Sequence, residues 1–246
     1  MPQKYIPNHF YRLADQALDI LYPWHCPVCG EILKDRRALL CPVCREHLRP
    51  VASPRCFLCG RPVAEEAEYC PDCLKHRHYF DAGRGIFLYD SIMRKSLLAY
   101  KNAGHRQYAG FYAHAMATYA GRQILAWKPD MIVAVPIHPS RMRERGFNQA
   151  ELIAKDLASA TGIPFEPGLV IKRMRTKAQK TLSAGERRRN LADSLAVTSS
   201  LKGLNILVID DIYTTGSTVD AMARCLKRAG ALHVYFLTVC IVGSGG

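Results

Sequence analysis

The chain has 246 residues, of which 49% are hydrophobic and 22% charged; this excludes a disordered chain and leaves room for one ordinary core plus a small extra module. No uncharged apolar run reaches the roughly 18–20 residues that span a bilayer, so stable membrane insertion is not expected. The formal net charge of +13 and the pI of about 9.4 describe a surface that attracts polyanions: nucleic acid, anionic lipid or phosphorylated metabolites.

The first element expected is a short helix over His9–Leu21, within an N-terminal segment 1–23. Phe10, Leu13, Ala14, Ala17, Leu18 and Leu21 recur at helical spacing and form one apolar stripe, stopped by Pro23. Arg12, Asp15 and Asp19 interrupt any leader-like apolar core, so the expected location is cytoplasmic.

Residues 24–78 hold four Cys-x-x-Cys pairs: Cys26/Cys29, Cys41/Cys44, Cys56/Cys59 and Cys70/Cys73. In a reducing compartment paired cysteines favour metal over disulfides. Zn²⁺ takes four soft thiolates in a tetrahedron, so four knuckles suit two ions. Pairing could be sequential or interleaved, and an internal repeat favours the sequential arrangement. Cys-Pro-Val-Cys-Gly at 26–30 resembles Cys-Phe-Leu-Cys-Gly at 56–60, and Cys-Pro-Val-Cys-Arg at 41–45 resembles Cys-Pro-Asp-Cys-Leu at 70–74. Two zinc-ribbon-like units are expected, one on Cys26, Cys29, Cys41 and Cys44, the other on Cys56, Cys59, Cys70 and Cys73. A closed four-thiolate site leaves no open position, so both ions would be structural. Redox pairs and an iron–sulfur cluster fit the spacing less well. His25, His47, His76 and His78 lie near the knuckles as neighbours rather than ligands, while Cys225 and Cys240 fall in apolar faces and read as core.

From Tyr79 onward the pattern changes. Strands are expected at Gly85–Tyr89, Asp130–Val135, Asn205–Ile209 and Val234–Val239. Helices are expected at Ser91–Lys101, Tyr108–Trp127, Asn148–Thr161 and Thr218–Ala229. Strands alternating with helices of this length imply an α/β domain over 79–246, a parallel sheet covered on both faces. The stretch Ile171–Asn190 breaks the pattern, with eight basic residues and one acid, and reads as a flexible basic loop.

The sharpest chemical signal is Ile-Leu-Val-Ile-Asp-Asp-Ile-Tyr-Thr-Thr-Gly-Ser-Thr over Ile206–Thr218. A buried strand delivers Asp210 and Asp211 to the end where open α/β sheets bind ligands. A hydroxyl-rich loop of Thr214, Thr215, Gly216, Ser217 and Thr218 then opens a helix, whose N-terminus favours phosphate. Gly216 lets the backbone approach an anion closely. An acid pair beside a phosphate loop makes sense if the ligand carries both a phosphate and a diol.

This segment resembles the phosphoribosyl diphosphate (PRPP) motif of type I phosphoribosyltransferases. The resemblance implies that Asp210 and Asp211 contact the ribose hydroxyls, that Thr214–Thr218 cradles the 5-phosphate, and that Mg²⁺ accompanies the diphosphate. A wider resemblance covers nearly the whole chain. The zinc knuckles, Lys101 in Ala-Tyr-Lys-Asn-Ala-Gly, Val-Pro-Ile at 135–137 and Arg-Gly-Phe-Asn-Gln at 145–149 are similar to the ComF family of competence-related proteins. By position, Lys101, Arg141, Arg143, Arg145, Asn148 and Gln149 would serve the diphosphate. Arg173, Gln179 and Arg189 would belong to a flexible hood over the site, together with Leu182 and Asn190. The family often has Ala-Phe where this chain has Ser194-Leu195. The resemblance implies a PRPP-binding protein that handles imported single-stranded DNA, with a helicase-like ATPase as partner. Two other readings stay open: an active phosphoribosyltransferase with an unknown acceptor, and a PRPP-sensing adaptor for that ATPase.

Overall fold

The structure is a computed structural model and describes residues 23–35, 38–102, 104–172 and 194–243. The helix expected over 9–21 lies outside the described residues, as does nearly all of the basic stretch 171–190. The chain divides into two compact units, Met1–Leu48 and Arg49–Gly246.

The smaller unit carries the first ribbon. A turn over 27–29 brings Gly30 N–H to the Cys26 carbonyl at 2.9 Å, and His25 bridges antiparallel to Ile32. Gly30 adopts φ +82°, which an L side chain rarely tolerates. Helix α1, Pro42–His47, follows with Cys41 as its N-cap and proline in its first turn.

The larger unit opens with the same design. Arg55 bridges Pro62, Gly60 N–H meets the Cys56 carbonyl at 2.9 Å, and α2, Pro71–Lys75, starts from Cys70. The chain then alternates strands and helices: β1 Ala82–Leu88, α3 Ser91–Asn102, α4 Tyr108–Trp127, β2 Met131–Ala134, α5 Pro139–Arg145 and α6 Gln149–Thr161. After these come β3 Val170–Lys172, β4 Leu195–Val197, β5 Asn205–Tyr213, α7 Ser217–Arg228 and β6 His233–Ile241. Strands β1, β6, β5 and β2 lie side by side in that order, all parallel. Strands β3 and β4 pair antiparallel as a separate ribbon.

The sheet forms because β5 and β6 are apolar on both faces; Ile206, Leu207, Val208, Ile209, Phe236 and Leu237 are each fully buried. Each such side chain contributes about 1.5–3 kcal/mol relative to exposure. Ile206, Val208 and Phe236 share one core cluster with Val219, Met222, Ala223 and Leu226 of α7. Leu207 and Ile209 alternate to the other side, where α4 and α6 pack on each other and on the sheet. Helix α6 is held at both ends, by the Asn148 side chain at its start and by left-handed Gly162 at its finish. Helices thus cover both faces of a parallel sheet, as the alternation of elements implied.

Cys56, Cys59, Cys70 and Phe80 belong to that same core cluster with Val208 and Phe236. The second ribbon is therefore a ribbon by its pairing and part of the sheet unit by its packing. The division expected after residue 78 follows the motif, whereas the compact units divide after Leu48. Contact here is backbone to backbone. A Cβ on Gly60 would come within 2.7 Å of the Gly83 carbonyl oxygen, and one on Gly83 within 2.0 Å of the Phe236 ring.

Candidate functional site

The two cysteine sets close as the repeat implied. In each, the four Sγ atoms lie within 4.8 Å of one another, and among the described residues no histidine joins either group. Cys29 and Cys41 Sγ are 3.7 Å apart, Cys59 and Cys70 Sγ 3.6 Å. A tetrahedron with Zn–S bonds of about 2.3 Å has sulfur edges of about 3.8 Å, so both sets fit the ion. Cys26, Cys44, Cys56, Cys59 and Cys70 are buried. Of the nearby histidines, His47 Nδ1 pairs with the Val43 carbonyl and His76 Nδ1 with Asp72, while His78 lies between Asp72 and Asp220. Cys240 is fully buried, as a core residue would be, and Cys225 is half-buried.

The second site forms at the C-terminal end of β5. The strand runs on through the acid pair, so Asp210 and Asp211 are fixed by pairing with β6 rather than carried on a loop. Asp211 forms an ion pair with Lys101 from the last turn of α3, and the two side chains are 19% and 16% exposed. Asp210 Oδ1 accepts the Asp211 backbone N–H at 2.8 Å. Burial, and next the neighbouring Asp211 carboxylate, push the Asp210 carboxyl up to about 8.

The loop after the acids is built on Tyr213. Its ring is buried and stacks on Phe236 at 4.8 Å. Gly216 has φ +74°, and a Cβ there would lie 2.5 Å from the Tyr213 hydroxyl, so only glycine fits. Thr214 and Thr215 stand exposed, and Thr215 Oγ1 lies 2.8 Å from Ser217 Oγ. Gly216 is the N-cap of α7 and brings no side chain to cap the first turn, where Ser217 and Thr218 are half-buried. Open N–H groups at a helix start, with hydroxyls around them, favour an anion.

The remaining expected residues divide. Asn148 is buried at the start of α6; its Oδ1 accepts the Ala150 N–H, while its Nδ2 donates to the Val135 carbonyl and to Glu151, all within 3.1 Å. Gln149 is buried too; its carbonyl accepts the Tyr100 hydroxyl and its Oε1 accepts Arg145 Nη1 at 3.1 Å. Both therefore brace the segment after β2. Arg141 and Arg143 are exposed on α5. Lys172, at the end of β3, is held below the usual lysine range by burial and then by the Arg141 charge. Arg173, Gln179 and Arg189 lie outside the described residues.

Arg61 was missed from sequence. It donates to the Thr214 carbonyl across 153 positions of chain, and its place after a knuckle glycine marked it only as a ribbon residue.

Known proteins carry the same two parts. Residues 17–74 match the double zinc ribbon domain, and residues 113–246 match the phosphoribosyl transferase domain. The chain is 31% identical over 222 residues to the DNA utilization protein YhgH of Salmonella typhimurium, covering 87% of this chain and 89% of the relative. It is 30% identical over 200 residues to competence protein ComFC of Bacillus subtilis, covering 78% and 79%. Competence protein F of Haemophilus influenzae is 29% identical over 221 residues, covering 87% and 95%. With a double zinc ribbon ahead of a phosphoribosyl transferase domain, and this likeness along most of its length to competence and DNA utilization proteins, the chain belongs to the ComF family.

Proposed function

We propose that this chain binds PRPP with Mg²⁺ and acts in the cytoplasmic handling of imported single-stranded DNA. The observation that carries the first half is the end of β5, where two carboxylates precede an uncapped, hydroxyl-lined helix start. PRPP presents a 5-phosphate, an anion for the helix start, and a ribose diol, two donors for the carboxylates. The loop Thr214–Thr218 would take the phosphate, while Asp210 and Asp211 accept from the ribose hydroxyls. Lys101 lies beside Asp211 to meet the diphosphate. Among the described residues only the two cysteine sets gather three or more ligating side chains, so Mg²⁺ would arrive with the diphosphate rather than in a protein cage.

The second half is supported by the relatives named for competence and DNA utilization, and by the net charge of +13. No described helix is long and apolar enough to cross a membrane. A helicase-like ATPase is the expected partner, and a PRPP-sensing adaptor role would use the same site.

Transferase activity is the second reading, favoured by Arg141 and Arg143, which stand exposed on α5 after β2. Such a reaction needs positive charge on departing diphosphate while the ribose becomes oxocarbenium-like, so positioning and electrostatics would supply most of the rate.

Calorimetry with PRPP and Mg²⁺, with and without single-stranded DNA, tests the proposal. Asp210→Asn with Asp211→Asn, compared with the wild type above about pH 8 where both carboxyls are ionised, should weaken PRPP binding at least about tenfold. Unchanged affinity would overturn the assignment of the site. Product formation from PRPP with an added base or other acceptor would favour the transferase reading.

A further inference from the structure

Arg61 follows Gly60 and closes the first knuckle of the second ribbon, where its carbonyl accepts the Cys56 N–H at 2.7 Å. The backbone of Arg61 is thereby tied to a zinc ligand. Its side chain leaves the ribbon and is only 9% exposed as a residue. One guanidinium nitrogen, Nη2, donates to the Thr214 carbonyl. The other, Nη1, lies 3.8 Å from Asp72 Oδ2, and the carbon between them is 5.3 Å from the centre of the Tyr213 ring. Asp72 sits between the ligands Cys70 and Cys73, so both halves of the ribbon fix the guanidinium.

His78 forms a second strut. It stacks on Phe80 at 4.7 Å, with Nε2 3.9 Å from Asp72 and Nδ1 3.5 Å from Asp220 in the first turn of α7. Asp220 also accepts the Tyr79 N–H at 2.6 Å. The ribbon therefore holds both the loop and the helix that the loop opens.

Peptide geometry turns this support into a functional constraint. The sole cis bond among the described residues is Ser53–Pro54, so the Thr214–Thr215 peptide is trans. In a planar trans peptide the carbonyl and the N–H point opposite ways. With the Thr214 carbonyl fixed on Arg61, the N–H of the same peptide, that of Thr215, is aimed away from the guanidinium. Without that hold the peptide is free to rotate and can turn an oxygen, rather than a donor, towards an anion.

The repeat supplies an independent comparison. In the first ribbon the matching bond runs from Cys26 N–H to the Glu31 carbonyl at 2.8 Å, so Glu31 occupies the place of Arg61. An ionised glutamate cannot donate to a carbonyl. The two ribbons share their metal chemistry but differ at this position.

We infer that Arg61 is a positioning residue for the anion-binding loop, and that the second zinc site sets the loop's donor geometry through it. The inference rests on the PRPP reading of that loop.

The test uses the full-length protein, calorimetry with PRPP and Mg²⁺, elemental zinc analysis and amide exchange. Arg61→Met should bind PRPP at least about tenfold more weakly, and the Thr215 amide should lose the protection that PRPP confers on the wild type. Zinc should stay at one ion in each of the two sites. Arg61→Lys keeps a donor but not the fork that joins Thr214 to Asp72, and should fall between the two. If Arg61→Met loses zinc, the lysine variant decides. Wild-type binding matched by the zinc-loaded variants, with Thr215 protected in each, overturns the role of Arg61 alone. Absence of PRPP binding by the wild type overturns the reading of the loop itself.

Discussion

Asp210 and Asp211 are neighbours in the chain with different surroundings. Asp211 has the Lys101 ammonium against it, whereas Asp210 has a backbone N–H and a second negative charge close by. The Asp210 carboxyl stands near 8 in the folded chain against an ordinary value of 3.8. The folded protein therefore holds this proton more tightly than the unfolded one. Its contribution to stability is greatest below the unfolded value and is lost as pH rises through about 8. Melting measured from about pH 5 to about pH 8 should show that decline, and Asp210→Asn should flatten it. At the upper pH the variant should gain about 1 kcal/mol, roughly 2–4 °C at this chain size. The same proton bears on binding, because a protonated carboxyl is a poorer acceptor for a ribose hydroxyl. PRPP affinity should thus strengthen over the range in which melting falls.

At the scale of elements, the ribbons have unequal consequences. Cys56, Cys59 and Cys70 share a core cluster with β5, β6 and α7. Replacing Cys56 and Cys59 by serine should release one zinc and destabilise the sheet unit by about 3 kcal/mol or more. Replacing Cys26 and Cys29 by serine should also release one zinc yet leave melting of the sheet unit in place. Elemental analysis and calorimetric scanning distinguish the two outcomes. Much of the element pattern was legible beforehand. Tyr108–Trp127 is long and alanine-rich, and it emerges with the expected bounds. Asn148 and Gly162 fixed the ends of α6 through local capping chemistry. The failures were of two kinds. Helix α5 was missed because seven residues rich in charge, led by proline, carry no apolar stripe. The β3–β4 pair was missed because strands of three residues are too short for alternation to register. At the site, local order disclosed the acid pair and the glycine loop. The pairing of Lys101 with Asp211, and of Arg61 with Thr214, depends on tertiary neighbours that no local pattern encodes.

For the whole molecule, the excess of positive charge predicts how it would meet nucleic acid. If phosphates supply most of the attraction, affinity for single-stranded oligonucleotides should fall steeply as salt rises. A flat salt response, measured by fluorescence anisotropy, would place the DNA-related role of this chain in a partner rather than in direct contact. The approach of Gly60 to Gly83 bears on something else, where two relatives could be joined. A Cβ on Gly60 would meet the Gly83 carbonyl oxygen at 2.7 Å and the Arg84 Cα at 2.9 Å, so the second ribbon leaves no room for a side chain where it meets the first strand of the sheet. A recombination event joining the cysteine region of one relative to the sheet of another after residue 78 would set a foreign knuckle on that seam. A crossover after Leu48 would carry the seam intact. A chimaera of two relatives should therefore keep the melting temperature of the sheet unit when joined after Leu48 and lower it when joined after residue 78, as calorimetric scanning would show.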